Sequence, residues 1–288
     1  MQYFYLITST FLSASTGIIG GLYTSATKVK KAATSLYNFI MITSVFIAWL
    51  IMFIINGRYD LAVLPFSVLF AVFYVVCNIS LIKALKEGSV MLTSLFLQLA
   101  LIATSVWGLI FWQSQLSVFV VVGLILAAVS ITFCLYKKES GKLDINLKWL
   151  LFAFLAFVGN AGCCIIQRTQ QTIFDGNYGE FLMVVATAIS TVVCGVIYFA
   201  GDKEGSAYII KKASYLPAVS GICNAMLNLF VILMATGTLS PSLIYPMLSV
   251  GGLAITIVFS AVVFKEKMNI WQWLGLFLGA VATGLLSI

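Results

Sequence analysis

Residues Thr238 to Ile288 read TLSPSLIYPMLSVGGLAITIVFSAVVF at 238–264, KEKMN at 265–269 and IWQWLGLFLGAVATGLLSI at 270–288. A helix needs about 20 predominantly apolar residues to cross the roughly 30 Å hydrocarbon core of a bilayer. The first apolar run has that length, the last run nearly has it, and a short polar break separates them. The stretch therefore predicts a hairpin of two membrane-spanning helices.

The same hairpin recurs in the first half of the chain. A constant shift of 152 positions places Gly275 on Gly123, Pro217 on Pro65, and the polar break on residues 113–117. A single matched residue carries little weight, because apolar segments resemble one another by composition. A shift that stays constant across three predicted helices indicates an internal repeat.

The composition places the whole chain in a membrane. Hydrophobic residues make up 62% of its 288 positions, charged residues make up 9%, and the mean hydropathy is +1.10. Soluble domains carry about 25% charged residues, so these values exclude an ordinary soluble globular protein. We predict an all-α integral membrane protein of the cell membrane, with the lipid bilayer as its surroundings.

Short polar breaks divide the sequence into ten candidate transmembrane helices. They cover residues 2–26, 34–56, 61–85, 88–112, 116–136, 148–171, 178–200, 213–236, 238–264 and 270–288. The longest break lies in the middle and leaves five helices on each side. Because five is odd, the second half enters the bilayer from the opposite side, which predicts two inverted five-helix repeats. We place the first repeat at 1–138, a cytoplasmic linker at 139–147 and the second repeat at 148–288.

The positively charged residues predict the orientation. Fourteen lysines fall in one set of alternate loops, and Arg58 and Arg168 fall in the other set. Cytoplasmic loops carry the excess of lysine and arginine, so we predict that the lysine-rich loops are cytoplasmic and that both termini are extracytoplasmic. The net charge of +7 then reflects topology, and no nucleic-acid partner is expected.

Several functional classes lack the residues that they need. The chain has no histidine, and its six cysteines follow neither a zinc-ligand nor a disulfide spacing. It has no phosphate-binding glycine loop for an ATP-driven pump and no charged ring or filter-like repeat for an ion channel. We therefore expect no enzyme activity, no metal site and no cofactor, and we interpret the cysteines as small packing residues.

Polar residues at membrane depth are the candidates for function, because each needs a partner or a water-filled cavity. They recur every three or four positions, which places them along single helix faces. The predicted substrate-binding residues are Ser13, Gln98, Asn160, Gln167, Asn224, Asn228, Tyr245 and Ser249. The predicted gating or charge-pair residues are Arg168, Glu180 and Pro246. Small polar residues are also common at plain helix contacts, so packing is the alternative role for them.

Acidic residues are missing from the middle of every predicted span. A proton-coupled exporter of bare cations would be expected to bury a carboxylate, and Glu180 at a helix start is the nearest substitute. We therefore predict a neutral or zwitterionic amphipathic solute, such as an amino acid. A multidrug exporter of cations that uses Glu180, and a membrane scaffold or sensor that moves no solute, are the alternatives.

The stretch at 238–288 resembles the closing helix pair of the drug/metabolite transporter superfamily, in its ten-helix EamA-like branch. In that family a helix with Tyr-Pro or a similar pair precedes a short charged turn and a final helix with a Trp-x-Gly motif. The matching residues are Tyr245-Pro246, Lys265-Glu266-Lys267 and Trp273-Leu274-Gly275. Two features depart from the family: the first-half turn at 112–115 lacks the usual charges, and relatives generally keep both termini in the cytoplasm.

The resemblance implies a secondary transporter with a central cavity between inverted halves, commonly an exporter of metabolites, amino acids or amphipathic compounds. In alternating access the two halves would rock about a site at the bilayer midplane. Amide side chains would hydrogen-bond the small-molecule substrate, Tyr245 would face its apolar part, and Pro246 with nearby glycines would let the helices bend. Such a protein would work as a monomer or a homodimer.

Overall fold

The structure is a computed structural model and describes residues 2–27, 30–111, 118–135, 146–235, 248, 251–265 and 270–285. The described residues form helices and short connections, with no β-strand among them. In chain order the helices are α1 (Gln2–Thr27), α2 (Ala33–Asn56), α3 (Leu64–Glu87), α4 (Val90–Phe111), α5 (Val118–Leu135), α6 (Leu147–Ile173), α7 (Gly179–Ala200), α8 (Ser206–Lys212), α9 (Tyr215–Ala235), α10 (Gly252–Phe259) and α11 (Ile270–Leu285). A 3-10 turn at Leu61–Val63 precedes α3, and a π-helical turn at Ser260–Phe264 extends α10.

The predicted all-helical class is confirmed, and each of the ten predicted spans contains a helix. Six helical segments are long and apolar enough to cross a membrane: Gln2–Thr27, Ala33–Ile55, Leu61–Glu87, Leu147–Ile173, Gly179–Ala200 and Tyr215–Met234. Shorter apolar helical segments lie at Val90–Ala100, Gly252–Phe264 and Trp273–Ala282. The helix pattern therefore fits the sequence, and insertion into a bilayer stays a prediction.

Helix α8 corrects the prediction that residues 201–212 form only a polar break. Gly205 precedes α8 in the left-handed region, at φ +85°, which glycine adopts without the steric cost of a side chain. Within α8, Ile209 is fully buried while Lys211 and Lys212 are exposed. Seven residues are too few for this amphipathic pattern to emerge from the sequence.

Asn146 fixes the start of α6 at the end of the predicted linker, whose residues 139–145 lie outside the described part of the chain. The Asn146 Oδ1 accepts hydrogen bonds from the amides of Lys148 at 3.1 Å and Trp149 at 3.3 Å. Asparagine is among the best N-cap residues because its side chain satisfies amides that have no partner inside the helix. The second half of the chain thus begins with a well-defined helix.

The most extensive helix–helix packing joins helices from the two halves of the chain. Helix α3 packs along α6, α1 along α9, α5 along α11, and α2 along α7. A Cβ atom added to Gly159 in α6 would lie 2.7 Å from the amide nitrogen of Cys77 in α3, so this crossing needs a glycine. The rings of Tyr5 in α1 and Phe230 in α9 stack with centroids 5.1 Å apart. The halves are therefore interleaved rather than placed side by side.

The described parts of the lysine-rich loops lie at one end of the bundle, which we call the lysine end. The Lys31 ammonium lies 2.8 Å from the Glu204 carboxylate and 3.3 Å from the Asp202 carboxylate, which joins the α1–α2 connection to the α7–α8 connection. The Asn146 side-chain amide donates to the Glu87 carbonyl at 3.2 Å, which joins the start of α6 to the end of α3. The common end agrees with the predicted grouping of the lysine loops.

The opposite end carries the exposed Arg58, and we call it the arginine end. There the ring of Tyr59, after α2, lies 6.2 Å from the ring of Phe181 in α7. The Gln170 side-chain amide in α6 donates to the Asn177 carbonyl at 2.8 Å, which ties the end of α6 to the turn before α7. Both α2 and α6 therefore run from the lysine end to the arginine end.

Candidate functional site

A polar cavity of about 180 Å³ lies inside the bundle, between helices of both halves. Its wall is formed by α1, α3 and α4 from the first half, by α6 and α9 from the second half, and by Leu248. Pockets that hold drug-sized ligands measure roughly 300–1,000 Å³, so this cavity suits a small metabolite. The polar and charged lining residues are Ser13, Thr16, Tyr74, Asn78, Gln98, Asn160, Gln167, Arg168, Gln171, Asn224 and Asn228.

Helix α6 contributes the longest polar stripe of the wall. Asn160, Gln167 and Gln171 recur at helical spacing and all line the cavity. The Asn160 side-chain amide donates to the Leu97 carbonyl of α4 at 3.1 Å, which leaves its oxygen available as an acceptor. The lining runs from the middle of α6 toward its C-terminal end, so the cavity extends from the bundle centre toward the arginine end.

Helices α3 and α9 form the facing wall through one shared amide. The Tyr74 hydroxyl donates to the Asn224 Oδ1 at 2.9 Å. The Asn228 Nδ2 donates to the Asn224 carbonyl at 2.9 Å and lies 3.4 Å from the Asn224 Oδ1. Because the Asn224 oxygen already accepts hydrogen bonds, its Nδ2 is the group of that side chain that remains for a ligand. This link also couples a first-half helix to a second-half helix at the cavity.

Helices α1 and α4 meet at the cavity through Ser13 and Gln98. The Gln98 Nε2 donates to the Ser13 Oγ at 3.3 Å. A Cβ atom on Gly252, at the start of α10, would lie 3.0 Å from that Oγ and 3.1 Å from that Nε2. Gly252 therefore lets the backbone of α10 approach the polar pair closely.

One buried donor in the wall has no acceptor among the described residues. The Nε2 of Gln167 is inaccessible to solvent and forms no hydrogen bond within the part of the chain that the structure describes. Leaving a buried polar group unsatisfied costs about 1–3 kcal/mol, so natural proteins rarely keep one without a reason. The neighbouring residue, Arg168, is the single charged residue among the lining residues that the structure describes. This part of the wall is therefore rich in donors and positively charged.

Seven of the eleven predicted site residues are brought together around the cavity. They are Ser13, Gln98, Asn160, Gln167, Arg168, Asn224 and Asn228. Glu180 lies in the first turn of α7 and is not among the described lining residues, and its predicted charge pair with Arg168 stays a prediction. Tyr245, Pro246 and Ser249 lie outside the described residues. The structure therefore describes a common location for most of the set, while a substrate-binding role stays a prediction.

Three cysteines also line the cavity, although the sequence favours a packing role for them. They are Cys77 in α3 with Cys163 and Cys164 in α6. Cys77 and Cys163 are buried, whereas Cys164 is half-buried. No group of three or more candidate metal ligands occurs in the described part of the chain. The sequence did contain a signal that Cys164 lines the cavity: it lies four residues after Asn160 and therefore on the same face of α6.

The same helices close together between the cavity and the lysine end. A Cβ on Gly17 would lie 2.7 Å from the Ser94 Oγ, and one on Gly20 would lie 2.7 Å from Leu85. A Cβ on Gly21 would lie 2.7 Å from Val90. Three glycines of α1 thus bring it into direct contact with the end of α3 and the start of α4, and we call this contact the glycine seam.

A second hollow of about 410 Å³ lies beyond the glycine seam, at the lysine end. Its wall includes the end of α1, the α3–α4 connection and Phe264 at the end of the π-helical turn. Lys86 and Glu87 both line it, so its charges are mixed and it lies among connections rather than among helix interiors. The central cavity is therefore the stronger candidate for a solute site.

Comparison with known proteins supports the fold and gives no function. No family model matches the sequence, and no curated protein is significantly similar to it. Among solved structures, 28 chains match. One of them, described only as "Crystal structure of protein", is similar with a TM-score of 0.61 and 12% sequence identity over 96% of this chain and 95% of that chain. At this identity the likeness shows a shared overall fold along the whole length.

Proposed function

We propose that the protein is a secondary transporter of the cell membrane, built from ten transmembrane helices in two inverted five-helix repeats. Helix pairing supports the inverted repeat. Suppose that a two-fold axis exchanges α1 with α6, α2 with α7 and α3 with α9. The helix pair α3–α6 is then equivalent to the pair α9–α1, and the pair α2–α9 is equivalent to the pair α7–α3. All four of these pairs are in contact, as a two-fold relation between the halves requires.

Outward-facing apolar side chains support insertion into a bilayer. Ile54 in α2, Val196 in α7 and Phe277 in α11 are 73%, 62% and 67% exposed. Large apolar side chains at this exposure would be unfavourable in water and are expected against lipid chains. By the positive-inside rule, the lysine end would face the cytoplasm and both termini would face the exterior.

The cavity between the halves is the observation that carries the transport proposal. Substrate sites of transporters with inverted repeats lie near the bilayer midplane, at the interface between repeats. Helices α1, α3 and α4 face α6 and α9 across this cavity, and amide side chains dominate its polar surface. The length, the helix count and the 238–288 motif together make the EamA-like branch of the drug/metabolite transporter superfamily the family that we propose.

The solute that we propose is a small metabolite, such as an amino acid or another neutral or zwitterionic amphipathic compound. The described lining contains polar amides, Tyr74 and apolar side chains, and it contains no acidic residue. Glu180, on which a cation exporter would depend, is not among the described residues of this lining. The proposed site is therefore better suited to hydrogen-bonding a polar group than to holding a bare cation.

The position of the glycine seam supports alternating access as the proposed mechanism. In the structure the cavity extends toward the arginine end, and the seam separates it from the lysine end. Release of solute at the other side requires the seam to separate and the arginine end to close around the cavity. We propose export as the physiological direction, with this structure close to the state that faces the exterior.

Replacement of both Asn224 and Asn228 by alanine tests the proposal. We expect solute exchange in proteoliposomes to be lost, because the wall between α3 and α9 loses the amide that joins them. Asn38 provides a matched control, since its side chain donates to the Thr34 carbonyl in the same i−4 manner, at 2.8 Å, but it does not line the cavity. The double variant should insert and remain folded.

The substrate panel for this test includes amino acids, nucleosides, polyamines, quaternary amines and aromatic metabolites. Exchange of a neutral or zwitterionic compound that needs Asn224 and Asn228 but not Asn38 supports the proposal. Undiminished exchange in the double variant removes these residues from the site. Absence of exchange and of ligand-induced stabilisation across the panel favours a scaffold or sensor instead.

A further inference from the structure

We infer that the solute carries a primary ammonium group, which the side-chain oxygens of Asn78, Gln98 and Asn160 bind at the inner end of the cavity. This inference rests on the proposed transport function and names the chemical group by which the substrate is recognised. Asn78 is not among the site residues that the sequence predicts. The orientation of the three amides, their access to the cavity and their common level in the bundle carry the inference.

Hydrogen bonds within the protein determine which end of each side-chain amide is free. The Nδ2 of Asn78 donates to the Tyr74 carbonyl at 2.8 Å, and the Nδ2 of Asn160 donates to the Leu97 carbonyl at 3.1 Å. A main-chain carbonyl only accepts hydrogen bonds, so in both residues the nitrogen is engaged and the oxygen is left. The Gln98 Nε2 likewise donates to a hydroxyl of α1, at 3.3 Å. Each of the three amides therefore offers an oxygen as an acceptor.

Asn78 shows that such an oxygen is both buried in the bundle and open to the cavity. The residue is 5% exposed and lines the cavity. Its Oδ1 accepts no hydrogen bond within the described part of the chain. Unlike the Nε2 of Gln167, this unpartnered atom is accessible from the cavity. Inside an apolar bundle an oxygen of this kind needs a donor from water or from a ligand.

The packing of α3 and α4 against α6 places the three acceptors at one level. A Cβ on Gly159 in α6 would lie 2.7 Å from the amide nitrogen of Cys77 in α3, and Asn160 and Asn78 are the residues that follow these two. Gln98 in α4 comes directly after the residue whose carbonyl accepts from Asn160. Three helices therefore each bring one acceptor to the same depth of the bundle.

This level is the inner end of the cavity, beside the glycine seam. Ile82, one turn after Asn78 in α3, would lie 3.4 Å from a Cβ on Gly20. Ser94, one turn before Gln98 in α4, also contacts the seam through its hydroxyl. A group bound here lies away from the arginine end, toward which the cavity extends. Attraction between a charged donor and an oxygen is stronger at such a site than at an exposed surface.

An ammonium group matches three acceptors at one level. It carries three N–H donors and no acceptor, whereas a hydroxyl carries one donor and two acceptor lone pairs. A hydrogen bond to a charged group contributes about 1.5–3 kcal/mol, more than a neutral one. The described lining contains no acidic residue, so a solute whose own carboxylate balances the ammonium charge is favoured. We therefore expect amino acids to bind more tightly than the corresponding 2-hydroxy acids.

Three matched pairs of solutes test this expectation on the wild type. They are alanine with lactate, leucine with 2-hydroxyisocaproate, and phenylalanine with 3-phenyllactate. The members of a pair share the side chain and the carboxylate, and they differ in an ammonium or a hydroxyl group. Binding is measured by the thermal shift of the full-length protein in detergent. In each pair that binds, the amino acid should bind at least about tenfold more tightly. Equal or tighter binding of the hydroxy acids, or no stabilisation by any of the three amino acids, overturns the inference.

A methylated ligand separates recognition of N–H donors from recognition of positive charge. N,N,N-Trimethylleucine keeps the charges of leucine and has no N–H donor on its nitrogen. It should bind at least about tenfold more weakly than leucine, because each hydrogen bond to a charged group contributes about 1.5–3 kcal/mol. Binding as tight as that of leucine would show that the cavity selects charge alone, and would overturn the inference.

Two variants and a matched control assign the preference to these side chains. N78L and N160L each remove one acceptor, and each should lower leucine affinity by at least about tenfold while 2-hydroxyisocaproate loses less. Asn38 is equally buried, at 1% exposure, and its Nδ2 donates to the Thr34 carbonyl in the same i−4 manner as that of Asn78, but it does not line the cavity. N38L should therefore keep the wild-type preference. An unchanged preference in both cavity variants, or an equal loss in N38L, contradicts the assignment.

Solute exchange distinguishes this inference from the transport proposal. If amino acids bind with the expected preference and none of them is exchanged by proteoliposomes, the transport proposal fails while the ammonium specificity of the cavity stands. If the hydroxy acids are exchanged as fast as the amino acids and bind as tightly, the transport proposal stands and the inference is overturned.

Discussion

The two ends of the helical bundle contain the same helices but are packed by different residues. On the lysine side, α1 contacts the neighbouring helices through Gly17, Gly20 and Gly21, with little space between backbones. Toward the arginine end, α3, α6 and α9 stand apart around a cavity lined by amides. Glycine allows helices to approach closely, whereas amide side chains need partners and keep a polar space between helices. Packing residues therefore decide which end is closed.

The same comparison separates contacts that should persist from contacts that the proposed transport cycle would open. The contact of Gly159 with Cys77 joins α3 and α6 beside the cavity through backbone atoms. The glycine seam instead meets side-chain tips of Leu85, Val90 and Phe264. Side chains can move to another rotamer, and backbone atoms of a packed helix cannot. We therefore expect the contact of Gly159 with Cys77 to determine stability and the glycine seam to determine the rate of transport.

The largest effect on stability is expected for G159A. Its new Cβ would meet the Cys77 backbone at 2.7 Å, and overpacking of this kind costs about 1–3 kcal/mol. Alanine in place of glycine otherwise stabilises a helix by roughly 0.5–1 kcal/mol. G284A is the matched control, because a Cβ there has no neighbour within 4 Å among the described residues. Thermal unfolding of both variants in detergent measures the difference, and equal unfolding temperatures would show that the α3–α6 contact is not tight.

The next effect concerns transport and is expected for G21L. A side chain at this position must displace Val90 and Phe264, which lie 2.7 and 2.8 Å from the added Cβ, so the lysine end can no longer close. Solute exchange should fall by more than about tenfold, since a shift of 1.4 kcal/mol in a conformational equilibrium changes populations tenfold. A second substitution, V90A, should restore part of the exchange rate by returning space. Wild-type exchange in G21L would show that the seam is not a gate.

A pair of tyrosines separates the cavity from ordinary helix packing. The Tyr74 hydroxyl donates to Asn224 at 2.9 Å, and the Tyr37 hydroxyl donates to Ser220 at 2.9 Å, in both cases from a first-half helix to α9. Y74F and Y37F should each lose about 1 kcal/mol of stability. Solute affinity should fall in Y74F alone, because only Tyr74 lines the cavity. Equal affinities in the two variants would argue against a solute site at Asn224.

The smallest effect is expected at the exposed ion pairs of the lysine end. The hydrogen bond from the Glu204 amide to Asp202, together with Lys31, lowers the pKa of Asp202. The Glu204 carboxylate, followed by that of Asp202, raises the pKa of Lys31. The ionised Asp202 carboxylate therefore stabilises the folded state at neutral pH, and this stabilisation is lost as the pH falls through its lowered pKa. The stabilisation by the Lys31 ammonium is lost as the pH rises through its raised pKa.

Unfolding temperatures of the wild type and K31M across the pH range measure this contribution. The difference between the two proteins should be small at neutral pH, because exposed ion pairs are screened by solvent, and it should vanish in acid. A difference that persists in strong acid would show that Lys31 stabilises the connection through packing rather than through its charge.

The helices could be predicted because the length of an uninterrupted apolar segment is a strong signal that lies within the segment itself. Each predicted span contains a helix, and breaks such as that before Asn146 are marked by polar residues. The short helix α8 escaped prediction, since one buried isoleucine in seven residues gives no periodicity. Helix pairing depends on contacts between residues far apart in sequence, so it could be anticipated only through the repeat.

The site could be predicted in part, through the cost of burying amides. Asn160, Gln167 and Asn224 need partners at membrane depth, and the structure places all three at one cavity. This argument could not separate small residues that line the cavity from small residues that only pack between helices. Ser13 lines the cavity whereas Ser94 packs against Gly17, and nothing in the sequence separates these two serines. Cysteine is equally ambiguous, since Cys164 lines the cavity and Cys194 is buried elsewhere in α7.

Side-specific labelling of Cys164 tests the central claim, that a solute site lies in a cavity which is open toward one end and closed toward the other. A variant that keeps Cys164 as its sole cysteine is reconstituted in proteoliposomes and treated with a membrane-impermeant thiol reagent from either side. A variant that keeps only the buried Cys194 is the control. We predict labelling of Cys164 from the arginine side, little from the lysine side, and slower labelling when a solute that the protein exchanges is bound. Equal labelling from both sides without ligand, or no protection by any solute that the protein exchanges, would contradict the account.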